Sequence, residues 1–142
     1  MNNRRPLIYV VDDNVSICRA LTLLLKSHGF KVETFTHARS FLAYKHPKLP
    51  SCLVLDVRLP DINGLNLQKI LTLRGITIPI IFITGHGNIP MSVKGIKGGA
   101  IDFLPKPFTK KKLLNAITLA ISKSVAQNKE QAEISKIKNR IK

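Results

Sequence analysis

The sequence has no tryptophan, two cysteines and only eight acidic residues among its 142 positions. Cys18 and Cys52 have no second pair of ligands at metal spacing, so the pattern favours two reduced, partly buried thiols. Long apolar runs are also missing. The run at 7–11 has five apolar residues and is followed directly by two aspartates. Five residues are too few for a signal-peptide core or a membrane-spanning helix. We therefore expect a cytoplasmic protein that does not associate with a membrane.

The charge of the chain is strongly unbalanced, with 23 basic residues against 8 acidic ones and a net charge of +15. Residues 110–142 hold nine basic and two acidic side chains, a local net charge of +7. This pattern is typical of a solvated basic face. It is equally typical of a surface that attracts DNA or an acidic protein surface. No helix-turn-helix, paired aromatic motif or zinc-knuckle spacing is visible, which argues against a dedicated nucleic-acid-binding domain.

Short apolar runs alternate with helical patterns up to about residue 108. Three of the runs are continuously apolar, as in strands buried on both faces of a sheet, and one alternates like a strand near an edge. The predicted strands are 7–11, 30–35 (the alternating one), 52–56, 78–85 and 100–104.

Helix signals separate these strands. Asn14 is a predicted N-cap whose helix ends at Gly29, and Thr109 is a predicted N-cap for the last helix. The helices between them are predicted at 38–44, 65–73 and 91–97. Strands and helices in alternation predict one α/β domain: a doubly wound, five-stranded parallel sheet of flavodoxin-like order 2-1-3-4-5, with helices on both faces.

Chemically capable residues fall at the carboxyl ends of the predicted strands. Asp12 and Asp13 follow the first strand and Asp56 ends the third. Thr84 lies at the end of the fourth strand, and Lys106 follows the fifth. Ligands of open α/β sheets bind at such ends, near the switch in strand order. Three converging carboxylates repel one another unless a cation is present, and carboxylate oxygens suit Mg²⁺. A hydroxyl and an ammonium beside them suit phosphoryl oxygens.

The segments VVDDN, LVLDVRLPDINGL, IIFITGHG and GAIDFLPKPF, in this order and at these separations, resemble the four signatures of bacterial response-regulator receiver domains. The resemblance covers roughly residues 6–122. It implies that Asp56 accepts a phosphoryl group from a sensor histidine kinase. It further implies that Asp12, Asp13 and Asp56, with the backbone carbonyl of Arg58, bind Mg²⁺.

The same resemblance assigns the remaining site residues. Thr84 and Phe103 match the two conformational switch positions, and Lys106 matches the lysine that contacts phosphoryl oxygens. In this family the Lys106-Pro107 bond is usually cis. Because the aromatic switch residue is Phe, a switch that depends on a Tyr hydroxyl is excluded. The family catalyses only its own phosphotransfer and dephosphorylation, so we expect a phosphoacceptor switch in a phosphorelay and not an enzyme acting on other substrates.

The segment TGHGNIPMSVKGIKGGAIDFLPKPF is most similar to the FixJ-like subgroup, whose output is a LuxR-type helix-turn-helix domain. This similarity implies transcriptional control through a DNA-binding domain missing from this chain. It also implies homodimerisation on phosphorylation through the face of helix 4, strand 5 and helix 5. We expect a receiver domain at 1–122 and a basic helical linker or tail at 123–142.

Two other interpretations remain open at this stage. A stand-alone single-domain regulator would act through protein–protein contacts, with 123–142 as a basic tail. In that tail Ile134, Ile137 and Ile141 give one heptad of apolar spacing, too little for an independent coiled coil. A small flavodoxin-like enzyme or cofactor carrier is disfavoured because the loop DDNVS after the first strand is acidic and would repel the phosphate of a flavin or nucleotide.

Overall fold

Each apolar run forms a strand in the computed structural model, which describes residues 5–85 and 89–140. The strands are β1 Leu7–Val11, β2 Lys31–Phe35, β3 Ser51–Asp56, β4 Ile80–Thr84 and β5 Asp102–Pro105. The helices are α1 Val15–Ser27, α2 Ala38–Ala43, α3 Gly64–Leu73, α4 Ile89–Lys97 and α5 Lys110–Arg140. All four strand pairs are parallel, in the order β2-β1-β3-β4-β5. The predicted fold class and strand order are therefore confirmed, with β2 at an edge.

Two apolar layers hold the sheet between its helices. Side chains alternate between the two faces along each strand, so β1, β3 and β4 contribute to both layers. One layer packs under α1 and α5, and its strand residues are Ile8, Val10, Cys52, Val54, Ile81, Ile83 and Leu104. The other packs under α2 and α3, and its strand residues are Leu7, Tyr9, Val11, Leu53, Leu55, Ile80 and Phe82. Cys18 and Cys52 are buried free thiols, as the sequence predicts.

The helix caps read from the sequence are present. The Asn14 side chain accepts hydrogen bonds from the amides of Ser16 and Ile17. The hydroxyl of Thr109 accepts one from the amide of Lys112 at 3.1 Å. Gly29 follows α1 with a φ of +86°, a conformation that disfavours any side chain. These caps fix where the first and last helices begin, and they place the turns after β1 and β5.

Some element ends differ from the predictions. β5 begins at Asp102 and not at residue 100, because the Ala100 amide donates to the Gly95 carbonyl and so still closes the end of α4. β4 begins at Ile80, after Pro79, whose nitrogen cannot donate to a sheet. α4 begins at Ile89, two residues before the predicted start. Apolar composition alone does not reveal these backbone hydrogen bonds.

Glycines in α4 and just after it have a packing role. A Cβ at Gly95 would lie 2.9 Å from ring atoms of Phe82, and one at Gly98 would lie 2.7 Å from the Gln68 side chain. The Gln68 amide nitrogen in turn donates to the Gly95 carbonyl at 3.0 Å. α4 therefore approaches β4 and α3 closely, because these positions lack a side chain.

The last helix continues without a break through the predicted domain boundary at 122. Ser124, just past that boundary, is buried, and its hydroxyl accepts a hydrogen bond from the Ser51 amide at 2.9 Å. The first turn of the predicted tail is thus attached to the start of β3. Of the predicted heptad, Ile141 lies outside the described residues. In the described ranges no helix, α5 included, combines the length and the apolar character needed to cross a bilayer.

We predict that Ser124→Ala lowers the free energy of unfolding by about 1–2 kcal/mol, because the buried Ser51 amide loses its acceptor. Ser122→Ala is the matched control: Ser122 is exposed on the same helix, so its replacement should change the free energy by less than about 0.5 kcal/mol. Urea denaturation of both variants measures the difference. Equal effects would mean that the hydrogen bond between Ser51 and Ser124 does not contribute to the stability of the domain.

Candidate functional site

Three carboxylates meet where β1 and β3 end. Val11 pairs with Leu55 in the sheet, so the next residues, Asp12 and Asp56, are neighbours at the same edge. Asp13 joins them, and one oxygen atom from each carboxylate lies within 4.8 Å of the others. Asp12 and Asp56 are buried, whereas Asp13 is exposed. The structure thus brings together the three acids that the sequence assigned to a single site.

The ammonium group of Lys106 lies between the two buried carboxylates. Its Nζ donates to Asp12 Oδ2 at 2.8 Å and to Asp56 Oδ2 at 3.2 Å. The turn after β5 sets its position, since the Lys106 amide donates to the Thr84 carbonyl at 2.7 Å. The Lys106-Pro107 peptide bond is cis, as the family resemblance implied. One cation therefore neutralises part of the charge of two buried acids.

Burial raises the pKa of Asp56 above its ordinary value, and the nearby charge of Asp12 raises it further. The hydrogen bond from the Arg58 amide and the charge of Lys106 act in the opposite direction but do not cancel the shift. For Lys106, burial alone would lower the pKa. The hydrogen bonds and charges of Asp12 and Asp56 outweigh burial and raise it. Asp56 is thus a carboxylate whose ionised form is destabilised at neutral pH, even with an ammonium beside it.

The donor set fits a hard divalent cation. All three side chains offer carboxylate oxygens, and Asp13 offers them at the surface, where a cation can retain water. Asp12 Oδ1 accepts the Asn14 amide at 2.9 Å, and Asp56 Oδ1 accepts the Arg58 amide at 3.0 Å. These hydrogen bonds fix the orientation of both buried carboxylates. The Arg58 amide also holds the following loop against the cluster.

The two predicted switch residues lie on adjacent strands. Thr84 is buried at the end of β4, beside the cluster, because Ile83 pairs with Asp56. Phe103 is half-buried in β5 and pairs with Phe82, with ring centroids 5.9 Å apart. Phe82 also contacts the backbone of α4 at Gly95. A continuous line of contacts thus runs from Phe103 through Phe82 to α4.

The loop after Asp56 contains features that sequence reasoning missed. The Gly64 amide donates to the Val57 carbonyl at 2.7 Å, and a Cβ at Gly64 would lie 2.7 Å from the Asp56 carbonyl oxygen. The Asp61 carboxylate accepts hydrogen bonds from two amides of α2. A loop rich in Pro, Asp, Asn and Gly predicts a turn, but the partner of Asp61 lies 23 residues away and leaves no local signal.

These observations define a doubly wound α/β protein whose acidic site, with one lysine, lies at the carboxyl ends of its central strands. The chain belongs to the response regulator receiver domain family, whose model matches residues 8–118. Receiver domains are the switch domains of response regulators and generally bind Mg²⁺ at an acidic pocket. Response regulators partner with histidine kinases and, through output domains, with DNA.

Individual relatives agree with this assignment. Nodulation protein W of Bradyrhizobium diazoefficiens is 45% identical over 135 residues, which cover 95% of this chain and 60% of that protein. The transcriptional regulatory protein FixJ of Azorhizobium caulinodans is 37% identical over 134 residues, which cover 94% and 64%. The solved structure of response regulator StyR matches with a TM-score of 0.89 at 43% identity, covering 95% of this chain and 68% of that one. The expected FixJ-like similarity is confirmed, and the chain spans about three fifths of these curated relatives.

We predict that Asp56→Asn raises the free energy of unfolding at pH 7, because the nearly isosteric amide removes a charge that burial destabilises. The pKa of Asp56 is raised in the folded state, so its penalty is absent below the ordinary value near 3.8 and grows as pH rises through the folded value. The gain should therefore shrink as the pH is lowered toward 4. Denaturation in the absence of Mg²⁺, at pH 7 and at about pH 4, measures this gain in the free energy of unfolding.

Asp13→Asn is the control for this prediction, since it makes the same chemical change at an exposed carboxylate. It should alter the free energy of unfolding less than Asp56→Asn does at pH 7. If Asp56→Asn were destabilising at pH 7, or equally stabilising at both pH values, the electrostatic description of the cluster would be wrong.

Proposed function

We propose that this chain is a phosphorylation-controlled switch in which Asp56 accepts a phosphoryl group from a sensor histidine kinase, with Mg²⁺ bound beside it. The observation that carries the proposal is the position of the Asp56 carboxylate, beside an acid pair and 3.2 Å from the Lys106 ammonium. A nucleophile, a cation-binding set and a cationic contact for phosphoryl oxygens thus lie at one edge of the sheet. The membership of the receiver family supports the same chemistry.

In the proposed reaction an Asp56 carboxylate oxygen attacks the phosphorus of a phosphohistidine. The phosphorus–nitrogen bond breaks, its electron pair stays with the imidazole, and an acyl phosphate forms on Asp56. Bound Mg²⁺, held by Asp12, Asp13, Asp56 and the Arg58 carbonyl, would supply positive charge to the phosphoryl oxygens. The Lys106 ammonium would stay in contact with one of these oxygens. The hydrogen bond from the Arg58 amide would keep the Asp56 carboxylate oriented. Attack of water on phosphorus would return the free carboxylate and inorganic phosphate.

Phosphorylation would then be transmitted through Thr84 and Phe103. It adds roughly two negative charges beside Thr84 and Lys106. The Thr84 hydroxyl would move toward a phosphoryl oxygen and vacate space for the Phe103 ring. Phe103 contacts Phe82, and Phe82 contacts α4 at Gly95, so a new ring position would displace α4. These contacts support coupling between the site and the face built from α4, β5 and α5.

The output of the proposed switch is a two-fold homodimer formed through the α4-β5-α5 face. Val93 and Ile96 of α4 are exposed apolar residues, which supports the use of this helix in an interface. In a longer protein, dimerisation would bring two DNA-binding domains together and control transcription, as the name of the relative FixJ suggests. The alternative is a single-domain regulator that uses the same face for another protein. We place both versions in the cytoplasm, where the kinase domain of a sensor would meet them.

We predict that incubation with Mg²⁺ and acetyl phosphate adds one phosphoryl group to the wild-type protein, measured by intact mass, because the small donor needs only the site itself. Asp56→Asn should show no gain. Asp13→Ala should also lose the gain, since it removes a cation ligand at an exposed position where folding depends on it little.

The control is thermal unfolding of each variant, which should show that the fold remains intact. A phosphoryl group on Asp56→Asn would contradict the assignment of the acceptor. Wild-type phosphorylation of Asp13→Ala in Mg²⁺ would contradict the assignment of the metal ligand.

We predict that dimerisation of the phosphorylated protein strengthens as the salt concentration rises from about 0.01 to about 0.15 M. Over this range the Debye length falls from about 30 to about 8 Å. The basic α5 helices repel each other in a dimer, and salt screens this repulsion. Analytical ultracentrifugation of phosphorylated and unphosphorylated protein measures the effect. Replacing the exposed Lys123 and Lys129 with Gln should weaken the salt dependence. A phosphorylated protein that is monomeric at every salt concentration would remove dimerisation as the output.

A further inference from the structure

Helix α2 begins without a cap of its own. His37 occupies the N-cap position with extended backbone angles (φ −135°, ψ 145°), but its side chain makes no capping hydrogen bond. The first amides of a helix need acceptors, because they have no partner within the helix. Here the acceptor is Asp61: Oδ1 accepts from the Ala38 amide and Oδ2 from the Arg39 amide, both at 3.0 Å. A residue 23 positions later in the chain thus caps α2.

This contact ties the loop between β3 and α3 to a rigid part of the domain. The loop runs from Val57 to Asn63 and is closed at its base by the 2.7 Å hydrogen bond from the Gly64 amide to the Val57 carbonyl. Asp61 lies near its middle, three residues after Arg58. At the other end of the contact, α2 is anchored by Ala38 and Phe41, both fully buried in the core. The outer half of the loop is therefore held against a fixed support.

Charge strengthens the same contact. Burial raises the pKa of Asp61, but hydrogen bonds from backbone amides, those of Arg39 and Ala38 foremost, together outweigh burial, so the net pKa is below its ordinary value. The carboxylate is accordingly ionised at neutral pH. It also lies at the amino end of a helix, where the helix dipole favours negative charge. Both effects make the carboxylate a stronger acceptor than a neutral side chain would be.

We propose that Asp61 is a positioning residue for Mg²⁺: by holding the β3–α3 loop against α2, it keeps Arg58, whose amide donates to Asp56 Oδ1, where its carbonyl can serve as a ligand. This inference rests on the proposed function, which uses that carbonyl as a ligand. Asp61 itself does not touch the cation. If the contact is lost, the loop samples conformations in which the carbonyl points elsewhere. The apparent dissociation constant for Mg²⁺ then rises in inverse proportion to the competent fraction.

Three variants separate positioning from simple capping. Asp61→Ala removes both the tie to the loop and the cap of α2. Asp61→Ala combined with His37→Ser restores a local cap to α2, since His37 already has the extended backbone of an N-cap and serine is a preferred residue there, but leaves the loop untied. Thr109→Ala is the control, because it removes a capping hydrogen bond from α5, on the opposite layer of the sheet and away from the β3–α3 loop.

Mg²⁺ binding to the unphosphorylated proteins is followed by amide chemical shifts or by calorimetry, because the chain has no tryptophan to report it by fluorescence. Thermal unfolding is recorded alongside. We expect Asp61→Ala to raise the half-saturating Mg²⁺ concentration by about tenfold, at the lower end of the range for residues that orient a metal ligand. The double variant should recover thermal stability and retain the weakened Mg²⁺ binding. Thr109→Ala should lose stability and bind Mg²⁺ as the wild type does.

Wild-type Mg²⁺ affinity in Asp61→Ala, or recovery of that affinity in the double variant, would overturn the inference and leave Asp61 as a cap of α2 alone. A wild-type protein that binds no Mg²⁺ would overturn the inference together with the metal site of the proposed function. Normal Mg²⁺ binding without phosphorylation would count against the proposed phosphoacceptor only, and the effect of Asp61 on Mg²⁺ would still support its positioning role.

Discussion

The contact of one ammonium with two buried carboxylates is the interaction on which the rest of the site depends. Lys106 Nζ lies 2.8 Å from Asp12 and 3.2 Å from Asp56, and without it two adjacent buried acids would repel each other with little solvent to screen them. The contact requires β1, β3 and β5 to end at one edge, which a parallel sheet with its crossover helices provides. The same crowding of charge makes the edge suited to a cation and a phosphoryl group.

Much of this arrangement follows from local patterns in the sequence. Continuous apolar runs predict buried parallel strands, and the acids that interrupt them mark the strand ends. With strand order 2-1-3-4-5, Asp12 and Asp56 have to be neighbours, which the sheet register confirms. Asn14 and Thr109 are caps that act within three residues, so their roles are visible in the sequence alone. The family signatures add roles for these residues, and the phosphoryl chemistry itself stays a prediction.

The remaining features depend on contacts between distant parts of the chain. Asp61 caps a helix that begins 23 residues earlier, and Ser124 accepts the amide of Ser51 across 73 residues. Ser124 does follow the inward-facing spacing of Ile117 and Ala120 on α5, a signal that could have extended the domain past 122. No comparable pattern exists for Asp61. Its role becomes visible only once α2 is seen to lack a capping side chain of its own.

The proposed function depends most directly on the crowded carboxylate at the end of β3 being the one that becomes phosphorylated. Borohydride reduction converts an acyl phosphate on aspartate into homoserine and so marks its position permanently. After transfer from a phosphorylated histidine kinase, peptide mass spectrometry of the reduced protein should find homoserine at position 56 and aspartate at positions 12 and 13. Homoserine at either of those positions, or at none while the kinase loses its phosphoryl group to the protein, would contradict the account.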